Sequence, residues 1–280
     1  MKRLLFSLLL LTPLALAVVA QDKPARSDFG LAVFKLGEKA ASDDKAGPTI
    51  DSLCSFLGKS VDGATFARRG VRNMPDEALK LLQDKDKPVA MAIVSPGFYF
   101  KHKVALKLTV LAEARRDGND GEQYVLLGKE STDQYPQGAT VATSLTADTD
   151  WLNKAVLPAP KDAKAIVWKQ YDNLFDAAYA MVDGEKDAPK YVLADRISLK
   201  SILDDAELKG LKQGLKSELL PQELVVEVDS RLGDKRDAIK KVLKELDKTP
   251  DGKKQGENLQ SATFPAPDDK RLEKVAKLYE

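Results

Sequence analysis

The sequence predicts an α/β fold of two lobes, each a mostly parallel sheet flanked by helices, followed by a helical C-terminal section. Three observations predict it. Strand-like and helix-like segments alternate almost throughout. Val89 to Val94 is apolar at every position, the pattern of a strand covered on both faces. The strand–helix–strand layout before about residue 112 is met again between about residues 138 and 204.

Each element has a local reason. Phe29 to Leu36 is rich in β-forming apolar residues, and Thr49 to Leu57 places Ile50, Leu53, Cys54 and Leu57 at helical spacing. Asn73-Met74-Pro75-Asp76-Glu77 offers a capping side chain, a proline and two acids to a helix continued by Ala78, Leu79, Leu81 and Leu82. The apolar run 89–94 stops at Ser95-Pro96-Gly97. Strands are expected at Leu106–Ala114 and Tyr124–Leu127, joined by the polar stretch Arg115 to Gln123. That stretch carries Asp117, Asn119, Asp120 and Glu122, but its spacing fails as a calcium loop, and a turn is the expectation. The alternation resumes with strands at 139–143, 165–168 and 191–194 and helices at 146–156, 171–182 and 197–203. From Leu203 to Lys216 the chain reads as polar and helical, then Glu223 to Val228 as one more strand. Asp234 is placed to cap a helix reaching Leu246, Gly252 to begin a looser stretch, and Asp268 to cap a last helix ending at Tyr279.

The first twenty residues read as an address. Lys2 and Arg3 precede an apolar run from Leu4 to Val19, and Val18-Val19-Ala20 suits a cleavage site before Gln21. Ser7, Thr12 and Pro13 interrupt the run, which makes it a poor membrane span. The expectation is a periplasmic or secreted protein without a stable membrane anchor, and a monomer. Removing Lys2 and Arg3 with the leader takes the formal charge from +1 to −1. With 44 basic and 43 acidic residues interleaved, no basic face for nucleic acid is expected.

One His and one Cys also constrain chemistry. A zinc site needs three or four ligands, and a hydrolytic triad usually needs a His base, so His102 would have to serve every such role alone. No GxSxG, HExxH, phosphate-cradling glycine loop or CxxC occurs. His102 follows Lys101 in a basic helical context and reads as solvated; Cys54 reads as a small buried hydrophobe. No enzyme activity, metal or cofactor is expected.

Several landmarks fall in a familiar order. The strand Val89–Val94 runs into Ser95-Pro96-Gly97-Phe98-Tyr99. Leu108 to Glu113 and Tyr124 to Ser131 follow, then Gly138-Ala139-Thr140-Val141-Ala142, then Gly184-Glu185-Lys186-Asp187-Ala188 with Tyr191 to Asp195. Ser217 to Val226 and Thr249-Pro250-Asp251-Gly252 with Phe264 and Asp268 complete the series. In this order the chain resembles the substrate-binding subunits of phosphate, phosphite and phosphonate ABC importers, proteins of the type 2 periplasmic-binding fold. The resemblance implies a small polar, oxyanionic ligand held between lobes and an ABC permease as partner. It divides the chain into a leader (1–20), a first lobe (21–112), a second lobe (113–216), and a return strand with C-terminal helices (217–280). A sensory or interaction domain that keeps the fold without transport is the alternative.

Ligand-binding candidates stand where strands end and helices begin: Ser95 and Tyr99; Thr143, Ser144 and Thr146; Trp168; and Asp195 and Arg196. Plainer roles stand beside these. Ser144 or Thr146 could simply cap a helix, Tyr99 could be a half-buried aromatic, Trp168 could pack in a core, and Asp195 could pair with Arg196. One departure from the resemblance is visible. The hydroxyl cluster Thr143-Ser144-Leu145-Thr146 is diluted by Leu145 and followed by Asp148, a carboxylate that repels an oxyanion.

Overall fold

The computed structural model describes residues 27–36, 43–116, 118–259 and 263–280; the expected leader lies outside them. In chain order the elements are β1 (Ser27–Phe34), α1 (Asp43–Ser60), β2 (Ala64–Arg72), α2 (Pro75–Gln83), β3 (Met91–Val94), α3 (Pro96–His102) and β4 (Leu108–Glu113). Then follow β5 (Val125–Gly128), β6 (Thr140–Thr143), α4 (Thr149–Trp151), β7 (Val167–Gln170), α5 (Leu174–Asp183), β8 (Tyr191–Ala194), α6 (Arg196–Asp204) and β9 (Lys212–Lys216). The chain closes with β10 (Leu224–Val228), α7 (Arg236–Lys244), α8 (Pro250–Asn258) and α9 (Asp269–Ala276).

Two five-stranded sheets result, ordered β2-β1-β3-β10-β4 and β7-β6-β8-β5-β9. In each, three strands are parallel neighbours, β2-β1-β3 and β7-β6-β8, and a single antiparallel strand, β10 or β5, separates them from the edge strand β4 or β9. The two sheets therefore share one plan: three parallel strands, then the strand that enters from the other lobe, then an edge strand. Two crossings between the lobes run side by side as an antiparallel pair, in which Glu122 and Leu220 exchange backbone hydrogen bonds of 2.8 Å in both directions; a third leads from Phe264 in the first lobe's core to α9, whose Val275 lies in the second lobe's core. Each sheet is covered on both faces. The apolar side chains of β1, β3 and β10 divide between two cores, as do those of β5, β6 and β8.

Local expectations met tertiary structure with mixed results. Asp268 caps α9 as its sequence suggests, accepting from Arg271 N at 3.1 Å. Strand β2 is read by no apolar pattern because Arg68, Arg69 and Arg72 interrupt it. It forms at the sheet edge, where Arg68 and Arg72 bind Asp43 of α1 at 2.8 and 2.6 Å. The stretch expected to be helical up to Lys216 ends in β9, an edge strand paired antiparallel with β5; Leu208 and Leu211 before it fill the second lobe's core. The expected helix 146–156 is broken into a 3-10 turn, α4 and a π turn. Asp234 does not cap α7, which instead grows from a 3-10 turn at Gly233–Lys235 without a side-chain cap. Gly252 lies inside α8, not at the start of a loose stretch. Thr249 caps that helix, and a Cβ on Gly252 would sit 1.8 Å from Leu246 O, so only glycine fits this close approach.

Candidate functional site

A cavity of about 120 Å³ lies between the lobes. Its first-lobe wall is the segment after β1, Phe34 to Leu36, with Ser95 and Pro96 after β3. Its second-lobe wall is Ser144, Leu145, Asp148 and Trp151 after β6, with Asp195 after β8. The crossings close it with Arg116, Glu122 and Tyr124 on one strand and Pro221, Gln222 and Glu223 on the other. Strands β1 and β3 of one sheet and β6 and β8 of the other thus end at the same cavity, the place where open α/β sheets expose loops and helix starts to a ligand.

Charge in the cleft is organised around Glu223. Lys35 Nζ pairs with its Oε1, and Arg116 Nη2 reaches its Oε2 at 2.8 Å. Burial would raise this carboxyl, but the two cations outweigh burial and hold its pKa at about 2. Three further carboxylates face the cavity: Glu122, Asp148 and Asp195. Burial pushes Glu122 upward, reinforced by neighbouring Asp195, although the backbone amides of Arg196 and Gln123 donate to it at 3.1 and 3.0 Å. Asp148 is likewise raised by burial while it accepts from Trp151 N at 3.2 Å. Burial keeps the hydroxyl of Tyr124 firmly protonated.

Of the residues expected to bind ligand, Ser95, Ser144 and Asp195 line the cavity. Ser95 and Asp195 also cap their helices, accepting from Phe98 N at 3.4 Å and Ser198 N at 2.7 Å. The others stand behind the wall. Thr143 is buried and its hydroxyl accepts from Leu145 N at 3.2 Å; Thr146 bonds the Gln170 side chain. Trp168 points its indole N–H at Asn153 Oδ1, 2.8 Å away, and packs on the second lobe's core. Tyr99 is half-buried edge-on to Phe100 at 5.1 Å. Arg196 directs its guanidinium to Asn119 and not to Asp195. Sequence reading passed over Lys35, Arg116, Glu122, Tyr124, Gln222 and Glu223. The available signal was topological: a polar stretch between the last strand of one lobe and the first of the next must run along the cleft.

His102 is not simply solvated. Its ring packs 4.6 Å from Phe98, and burial together with Lys101 lowers its pKa. Cys54 is buried as expected, its thiol raised to about 12 by burial. Among the described residues, no group of three or more His, Cys, Asp or Glu is placed to hold a metal ion, and no helix is long and apolar enough to cross a membrane.

No protein-family model matches the chain, and no curated protein is similar to it in sequence. Solved structures are similar in shape. XAC2383 from Xanthomonas citri bound to ATP superposes with a TM-score of 0.65 at 11% identity, covering 90% of this chain and 97% of that one. A binding protein component of an ABC phosphonate transporter (PA3383) from Pseudomonas aeruginosa gives 0.58 at 13% identity, covering 90% and 85%. PhnD1 from Prochlorococcus marinus in complex with methylphosphonate gives 0.58 at 11%, covering 90% and 97%. The fold is the type 2 periplasmic-binding fold. At these identities the likeness extends to the arrangement of sheets and helices, and the chemistry of the cleft rests on this chain's own side chains.

Proposed function

We propose that the protein is a solute-binding protein that captures a small polar ligand between its lobes and delivers it to an ABC permease outside the cytoplasm. The observation that carries this reading is the cavity itself, walled by polar groups from both lobes at the ends of equivalent strands. No covalent chemistry is part of the reading. The oxyanion implied by the sequence resemblance suits only part of the lining. Lys35 and Arg116 are already engaged by Glu223, and four carboxylates face the cavity against two cations. A ligand carrying an ammonium group beside its anionic group fits that balance better than bare phosphate, because Glu122, Asp148 and Asp195 face the cavity and, among the described residues, make no ion pair.

Thermal unfolding with added solutes tests this. A ligand present at a hundredfold excess over its Kd stabilises the folded state by about 2.7 kcal/mol. Amino acids and aminoalkyl phosphonates are expected to raise the midpoint more than phosphate, methylphosphonate or sulfonates. A flat response across all of these would reject a solute-binding role of this kind; a response confined to phosphate would reject the ammonium requirement.

A further inference from the structure

Helix α3 follows β3 and belongs to the first lobe by connectivity, yet its successive residues pack into different lobes. Phe98 sits in the first lobe's core with its ring 5.4 Å from Phe34. Phe100 is 4% exposed and lies in the second lobe's core. There it stacks near-parallel on Trp151, at 6.4 Å and 6°, and inclined by 28° on Tyr279 at 5.6 Å. Gly97 faces the second lobe so closely that a Cβ would stand 1.9 Å from Asp148 Oδ2 and 2.7 Å from Trp151 Cβ. Lys101 Nζ adds an ion pair to Asp150 at 2.8 Å. Two of these partners, Asp148 and Trp151, line the cleft.

We propose that α3 is a latch: insertion of Phe100 between Trp151 and Tyr279, with the glycine-dependent approach of Gly97 to Asp148, holds the lobes together and regulates entry to the cleft. The physical reason is that apolar area buried between lobes favours closure whether or not a ligand bridges them. The cleft residues Asp148 and Trp151 are then positioned by a first-lobe helix, so opening the lobes and loosening that wall of the site are one event. The role in ligand entry rests on the solute-binding reading; the latch itself concerns lobe geometry alone.

The deciding variant is Gly97→Leu. Gly97 has no left-handed backbone, and leucine favours a helix over glycine, so α3 is retained while a side chain is driven into the space held by Asp148 and Trp151. Lobe separation is read between spin labels on Glu77→Cys of α2 and Lys200→Cys of α6, both exposed, with no solute added. Cys54 does not interfere, because it is buried and its thiol pKa is raised to about 12. Gly97→Leu is expected to lengthen the label distance by several ångströms, as is Phe100→Ala if it folds, whereas Val104→Ala, at an 82% exposed site just past the helix, leaves it unchanged. An unaltered distance in Gly97→Leu overturns the latch. A lengthened distance in a protein that no solute stabilises would uphold the latch and reject the solute-binding reading, so the two failures are distinguishable.

Discussion

Glu223 shows how much one residue in the cleft carries. Its pKa in the folded protein, about 2, lies below the 4.5 of an unperturbed glutamate. The carboxylate therefore contributes stability that is fully present above pH ~4.5 and is lost as pH falls toward ~2. A depression of this size corresponds to roughly 3 kcal/mol. The side chain is only 18% exposed, so solvent screening removes little of it. Urea denaturation between pH 7 and pH 2.5 should show this loss for the natural protein. Glu223→Gln should be less stable by about 3 kcal/mol at pH 7, since Lys35 and Arg116 are then left close together without their shared carboxylate, and its stability should vary less across the acid range. A variant whose acid profile matches the parent would mean that Glu223 is not the group that titrates. Neither Lys35 nor Arg116 was legible as a site residue in sequence, because each is an ordinary surface cation until the fold sets it against Glu223.

At the scale of elements, sequence reading succeeded where a segment's own pattern decides its structure. The apolar runs became β3, β8 and β10, and Asp268 became a cap as read; Ser95 and Asp195, read as ligand candidates, are caps as well, because a short oxygen-bearing side chain before a helix satisfies its free N–H groups wherever the helix is placed. It failed at β2 and β9, edge strands whose polar and charged residues need no apolar pattern, and at the segment after β6, which breaks into three short turns. The capping role of Asp195 can be separated from a role toward ligand. Asparagine caps as well as aspartate does, so Asp195→Asn should leave the unfolding midpoint without solute almost unchanged while reducing stabilisation by an ammonium-bearing solute. Asp195→Ala should cost about 1 kcal/mol without solute and lose, in addition, the same solute stabilisation as the asparagine variant. Thermal melts with and without such a solute distinguish these outcomes; equal solute response in all three proteins would make Asp195 a cap only.

For the molecule as a whole, the crossings and α9 form one bonded unit. Glu113, 1% exposed at the end of β4, accepts from Gln222 N at 2.9 Å and from Arg271 at 3.3 Å. Gln222 in turn bonds Gly121 O at 3.1 Å and accepts from Arg116 N at 2.8 Å. Arg271→Met should leave the buried Glu113 without its cation, destabilise by about 3 kcal/mol, and speed amide hydrogen exchange at Gln222 more than in β2 at the far edge of the first sheet. Unchanged exchange at Gln222 would show that α9 does not brace the crossings. The sequence by itself determined the alternation of strands and helices, the double-sided burial of the central strands and several helix starts, because period, burial and capping are local properties. Only the tertiary structure decided the edge strands, the seating of α3 in the opposite lobe and the charge pattern of the cleft. The pairing of Lys35 with Glu223 spans 188 residues, and contacts of that kind are set by strand order, which no local window of sequence contains.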